Sequence, residues 1–244
     1  MTWRAVRAAS CALCAAAALL ACGSVPQSGG AAAAPVPASA MDTWSRQYAA
    51  LAASGGTLLH LDPQRSSVRI LVFRGGRAAR LGHNHVATAT AFGGFLYLPG
   101  NGAAGARFDL EFRLDALQLD APDLRASLGA PFAAELTPGD IANTRSHMLG
   151  DDNLQADRYP FVRIRGLQVS GEGPDYAVDV ECEMHGRKQT LRVPVRVEGL
   201  PERAAVSGSL VLRQSDFGVQ PYSALGGLIA VQDAVIVQFT LVAN

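Results

Sequence analysis

Apolar and polar side chains alternate along most of the chain beyond residue 57. The clearest run is Ala106 to Leu119. There Phe108, Leu110, Phe112 and Leu114 face one way, and Arg107, Asp109, Glu111, Arg113 and Asp115 face the other. A period of two is that of a strand with one buried and one wet face. Ser67 to Phe73 repeats it with Val68, Ile70 and Val72, as do Tyr176 to Met184, Leu191 to Val197 and Ala234 to Leu241. Shorter candidates are Leu58 to Leu61, Phe95 to Leu98, Phe161 to Val169 and Val206 to Leu212. Gly, Pro, Asn and Asp separate most of these runs and supply turns. Many antiparallel strands of this kind describe a sandwich or a closed barrel, and closure best removes exposed sheet edges. The fold class is therefore all-β.

Two segments break the period. Thr137-Pro138-Gly139-Asp140 reads as a helix start, with Thr137 as cap, Pro138 at the first helical position and Asp140 at the positive end of the dipole. Ile141, Thr144 (or Arg145) and Met148 then share a face, giving a short helical insertion among the strands. Asp42 to Ala53 offers Trp44, Tyr48 and Leu51 at helical spacing.

Charge changes this picture little. Lys plus Arg and Asp plus Glu both number 21, a formal net charge of zero, with arginine supplying nearly all the positive side chains. No basic cluster interleaved with aromatics points to nucleic acid. Arginines alternate with acids along the strands, the pattern expected of a solvated sheet face.

The N-terminal segment speaks of location. Arg4 and Arg7 precede an apolar stretch, Ala8 to Leu20, too short to span a bilayer, so residues 1–21 read as a secretory signal. Leu19-Leu20-Ala21-Cys22-Gly23 resembles a bacterial lipobox, which makes Cys22 the expected lipidation site. Gly23 follows where an aspartate would favour inner-membrane retention. The expectation is a periplasmic protein anchored to the outer membrane through its N-terminal lipid. Residues 22–56 then form a Gly-, Ser-, Pro- and Ala-rich tether with a possible short helix, and residues 57–244 form one domain. Cys182 alone remains in that domain, on the apolar side of an alternation, as a buried and inert thiol.

Candidate chemistry centres on Leu81-Gly82-His83-Asn84-His85. If the backbone is extended, the i, i+2 spacing turns both imidazoles to one side. The small residues that follow, Val86-Ala87-Thr88-Ala89-Thr90-Ala91, leave room beside them. His83 and His85 suit a polar contact to a ligand headgroup or a structural turn. As a metal or haem pair, completed by His60 or His147, they supply only two of the three or four ligands a metal needs. His185 reads as a turn residue and His147 as an exposed helix position. No nucleophile elbow, phosphate-cradling Gly loop or zinc-hydrolase pair is present, so an enzyme is not expected and no resident cofactor is assigned, while a metal- or haem-binding, redox-related periplasmic protein using His83 and His85 stays the alternative.

Five marks in order give the chain a resemblance to the YceI-like family. They are Leu61-Asp62 before Ser66-Ser67-Val68; Phe92-Gly93-Gly94-Phe95; the passage from Met148-Leu149 to Tyr159-Pro160-Phe161; His185-Gly186; and Ser215-Asp216-Phe217-Gly218 followed by the final strand. The resemblance implies an antiparallel lipocalin-like β-barrel that binds an isoprenoid-type lipid, polyprenyl or quinone-like, in its interior. Candidate lining residues are Phe92, Phe95, Phe108, Phe112 and Phe217, with Met148 as an adaptable filler and His83 and His85 at the headgroup. Gly82 to His85 departs from the commonest family outline, which leaves the ligand open. Assembly as a homodimer is open too.

Overall fold

The computed structural model describes residues 36–244. The signal segment, the lipobox with Cys22 and the start of the tether lie outside the described residues. Twelve strands are present: β1 (Thr57–His60), β2 (Ser67–Gly75), β3 (His85–Ala89), β4 (Phe92–Leu98), β5 (Arg107–Arg113), β6 (Gln118–Leu119), β7 (Phe161–Glu172), β8 (Asp175–Met184), β9 (Arg187–Glu198), β10 (Ala204–Arg213), β11 (Ser223–Ala224) and β12 (Ile229–Ala243). The described residues also hold three α-helices: α1 (Met41–Ala53), ahead of the first strand, and α2 (Pro122–Ser127) and α3 (Pro138–Leu149), between β6 and β7.

Eleven strands form one antiparallel sheet in the order β1-β4-β5-β7-β8-β9-β10-β12-β2-β3-β6, with β11 paired to β12. The two ends of that list are joined by the chain itself. β3 and β4 are one bent strand, paired with β2 before the bend and with β5 after it; β5 and β6 likewise follow it on its other side. The sheet thus curls into a barrel. The run expected as one strand over residues 106–119 is broken by a 3-10 turn at Leu114–Ala116, where the bend is accommodated. At one end Leu61 bridges Ala243, and Leu59, Leu98, Ala204 and Ala243 form a buried floor.

Close packing inside the wall uses glycine where strands carry large rings. A Cβ on Gly166 would lie 2.4 Å from the Phe108 ring, and one on Gly208 would lie 2.5 Å from that of Phe239. Both distances are too short for a side-chain carbon, so the rings occupy the space that a Cβ at these positions would need. The β8–β9 hairpin turns on His185 and Gly186, both at positive φ (52° and 70°), as a two-residue loop requires. His185 is the expected turn residue. Its Nδ1–H donates to the Phe217 carbonyl at 3.1 Å, and its Nε2 is buried without a hydrogen-bond partner among the described residues.

The expectation of a solvated outer face fails along β5. Asp109 and Glu111 are buried because α1 lies across them. Its apolar face, Trp44, Tyr48 and Leu51, packs against Phe95 and Tyr97 of β4. The acids are then matched one by one. The Tyr48 hydroxyl donates to Asp109 at 2.9 Å and Arg165 Nε at 2.7 Å. Glu111 accepts from the Ser39 hydroxyl, the Ala40 N–H and Arg163 Nε, which places a carboxylate at the positive end of α1. Burial raises the Tyr48 phenol well above its ordinary pKa, and the neighbouring Asp109 charge adds to the effect.

Candidate ligand-binding cavity

Inward side chains do not fill the barrel. They enclose a cavity of about 500 Å³, within the range of small-molecule sites. Its walls follow the strand period: Leu110, Phe112 and Leu114 from the β5 arm, Ile164 from β7, Val178, Val180 and Cys182 from β8, Leu191, Val193 and Val195 from β9, and Val235, Val237 and Phe239 from β12. Burial, aided by the Glu183 charge, pushes the Cys182 thiol up to about 12, so it contributes as an apolar wall group.

Polar groups gather at the end opposite the floor. Arg74, His83, His85, Asn143, Thr144, His147, Asn153, Gln214 and Tyr222 border the cavity there. α3 supplies Asn143, Thr144 and His147. It starts as expected, with Thr137 and Asp140 reciprocally capping, and Ile141, Met148 and Leu149 pack onto the core. The His147 ring, solvent-exposed as expected, lies 5.0 Å from that of Tyr222, so helix and β11 loop touch across the opening.

The i, i+2 spacing brings His83 and His85 to the cavity together, their rings 6.4 Å apart. Only His85 is braced. Its Nδ1 lies 2.7 Å from Asp120 Oδ2, while Asp120 Oδ1 accepts from the Val86 N–H at 3.0 Å and from Arg125 at 2.7 Å. Arg125, itself buried, also donates to the carbonyls of Asn84 and Ala134. Asn84 ties this layer to the strands, accepting from the Arg74 N–H and donating to the Pro131 carbonyl. Burial, the largest single influence on Asp120, disfavours its charge. The hydrogen bonds from His85, Val86 and Arg125, with the His85 charge, outweigh it and hold the carboxyl below its usual range.

Sequence reasoning had no signal for Asp120 and Arg125. They follow β6, and only its pairing with β3 brings them beneath His85. Of the other candidates, Phe112 and Met148 border the cavity, as does Phe108. Phe92 and Phe217 do not. Both belong to the buried cluster beside it, Phe217 because a 3-10 turn at Gln214–Phe217, not a strand, sets its direction. Phe95 borders the cavity, but strand parity turns its ring outward, where it stacks on Tyr48 at 5.3 Å. His60 lies on that same outer side, edge-on to Phe95, away from the other histidines. Among the described residues no group of three or more His, Cys, Asp or Glu is arranged to hold a metal ion.

The sequence model of the YceI-like domain matches residues 59–243. No curated protein matches the chain. Among solved structures, BcnA of Burkholderia cenocepacia superposes with a TM-score of 0.55 at 17% identity, covering 75% of this chain and 99% of its own. A polyisoprenoid-binding domain from Saccharophagus degradans, implicated in plant cell wall breakdown, superposes with a TM-score of 0.52 at 14% identity, covering 78% of this chain and 98% of its own. At such identities the likeness is one of fold.

Proposed function

Since the chain belongs to the YceI-like family, we propose that its barrel binds an apolar isoprenoid-type lipid, polyprenyl or quinone-like, with the chain inside the cavity and the headgroup at the polar end. One observation carries the reading: a well-folded barrel leaves about 500 Å³ unfilled, walled by aliphatic side chains and bordered at one end by histidines. A cavity of this composition is dry unless occupied by something apolar. Each methylene transferred into it from water contributes about 0.8 kcal/mol, so a prenyl chain supplies affinity and the headgroup supplies selection. The relative from Saccharophagus degradans is described as polyisoprenoid-binding, which supports the same ligand class.

The proposed role is carriage or sequestration of that ligand, in keeping with a cavity walled mainly by apolar side chains. We place it in the periplasm, held to the outer membrane through Cys22. A Cys22→Ser variant is then released from the membrane fraction, and retention there would refute the anchor. The binding reading is tested by native mass spectrometry and solvent extraction of protein secreted into a bacterial periplasm and purified without detergent. An adduct with the mass of an extractable isoprenoid is expected. A bare protein mass in such preparations, together with failure to take up added polyprenol or quinone, would overturn it.

A further inference from the structure

Two loops beside the cavity opening push aliphatic side chains into water. The 3-10 turn Ala79–Leu81 leaves Leu81 63% exposed, and the turn Leu225–Gly227 leaves Leu225 71% exposed, with Leu228 exposed beside it. The loops are neighbours: the Ala78 N–H donates to the Leu228 carbonyl at 2.7 Å, and Gly75 pairs with Ala230. Leu225 sits at φ 51°, a left-handed conformation that a bulky side chain rarely adopts. Gly226 and Gly227 continue the left-handed run at φ 65° and 84°, making Leu225 the tip of the loop. Leu225 gains little from burial in this position, and strain held at an exposed side chain points to function.

The charged residues that these two loops themselves carry are all basic. Residues 74–83 contain Arg74, Arg77 and Arg80 and no acid, and residues 219–232 contain no acid either. All three arginines are exposed. The patch is continuous with the cavity: Gly82 and His83 follow Leu81 along the chain, Ile229 follows Leu228, and all three border the opening.

We infer that this rim docks the barrel on an anionic bilayer, with Leu81, Leu225 and Leu228 entering the acyl boundary and Arg77 and Arg80 at the lipid phosphates. Aliphatic tips flanked by arginines are the composition of an interfacial anchor. A protein partner would call for aromatic anchors in a shaped pocket, whereas these leucines stand on two separate turns. No helix among the described residues is long and apolar enough to cross a membrane. Docking in this orientation turns the cavity opening toward the acyl layer, so an apolar ligand passes between bilayer and barrel with little exposure to water. That last consequence rests on the lipid-binding reading; the docking itself does not.

The test uses the full chain with Leu225→Trp or, on the neighbouring loop, Leu81→Trp, each read as fluorescence above that of the unsubstituted chain. Glu202→Trp, in the turn joining β9 to β10 at the floor end, is the control. With vesicles of phosphatidylcholine and phosphatidylglycerol carrying brominated acyl chains, the two rim tryptophans are expected to shift blue and be quenched, while the control is unchanged. Adding Arg77→Gln or Arg80→Gln is expected to raise the vesicle concentration needed for half-maximal rim quenching about fivefold per arginine. Rim tryptophans no more quenched than the control would overturn the inference, even if purified protein carries an isoprenoid. Quenching at the rim by protein that never takes up an isoprenoid would support docking and refute the binding reading alone.

Discussion

His85 Nδ1 lies 2.7 Å from Asp120 Oδ2, and this contact decides which imidazole nitrogen is left for the cavity. An ionised carboxylate only accepts, so Nδ1 carries the proton. Nε2 then remains as the acceptor of a neutral ring, or as a second donor once the ring is protonated. The same carboxylate is 1% exposed and also satisfies buried Arg125, so the site is built on an ionic layer that cannot be removed without consequence.

Asp120→Asn leaves Arg125 buried without its counter-charge and is expected to cost about 3–5 kcal/mol. Its pH dependence follows from the sign of the shift. Asp120 has a lowered pKa when folded and about 3.9 when unfolded, so its stabilisation is complete above about pH 4 and fades as pH falls through the folded value. Urea titrations of both proteins at stepped pH should show a constant gap from neutrality to about pH 4, narrowing below. A gap that does not narrow in acid would show that the charge is not what stabilises the layer.

The two cavity histidines should separate on mutation. His83 makes no side-chain hydrogen bond among the described residues, so His83→Ala is expected to stay within about 0.5 kcal/mol of the parent while weakening lipid retention. His85→Ala also deletes a charge-assisted bond and is expected to cost about 1.5–3 kcal/mol. Chemical denaturation and lipid extraction, run on the same preparations, distinguish the two effects. Equal lipid retention in parent and His83→Ala would remove His83 from the headgroup site.

Val180 lines the cavity from β8. Val180→Trp places an indole where the lipid chain is proposed to lie, and free space limits the overpacking cost to about 1–3 kcal/mol. The variant should be recovered folded, by circular dichroism, and without extractable lipid. Undiminished lipid content would move the binding site elsewhere.

α1 is held to the barrel by a buried polar pair as well as by its apolar face. Tyr48→Phe removes the phenol that donates to Asp109 and should destabilise by about 1.5–3 kcal/mol, read as a lower urea midpoint at an unchanged slope. A midpoint equal to the parent's would mean that Arg165 alone satisfies Asp109.

Cys182 should resist alkylation at pH 8 in the native protein and react once denatured, as shown by mass mapping of its peptide, because burial lifts its thiol pKa to about 12. Rapid native labelling would indicate that the barrel opens on the labelling timescale.

The alternation of Phe108, Leu110, Phe112 and Leu114 sufficed for the strand and for its inward face, because side-chain direction in a strand is a property of the backbone alone. Thr137 to Asp140 likewise carried its own helix start, and His83 and His85 their common side. Each is decided within a few residues. Contacts between distant segments were not legible. Asp109 and Glu111 read as solvent-facing until α1, more than 50 residues earlier, covered them. Phe95 and Phe217 read as lining until strand parity and a 3-10 turn directed them elsewhere. Asp120 and Arg125 became part of the histidine site only through the register of β6 against β3. Periods, turns and inward faces are local properties, readable from a few neighbouring residues. How much of the interior stays unfilled, which acids are buried and which loops meet beside the opening are set by the assembled fold. Those outcomes depend on the curvature and register of the closed sheet, which no short stretch of chain contains.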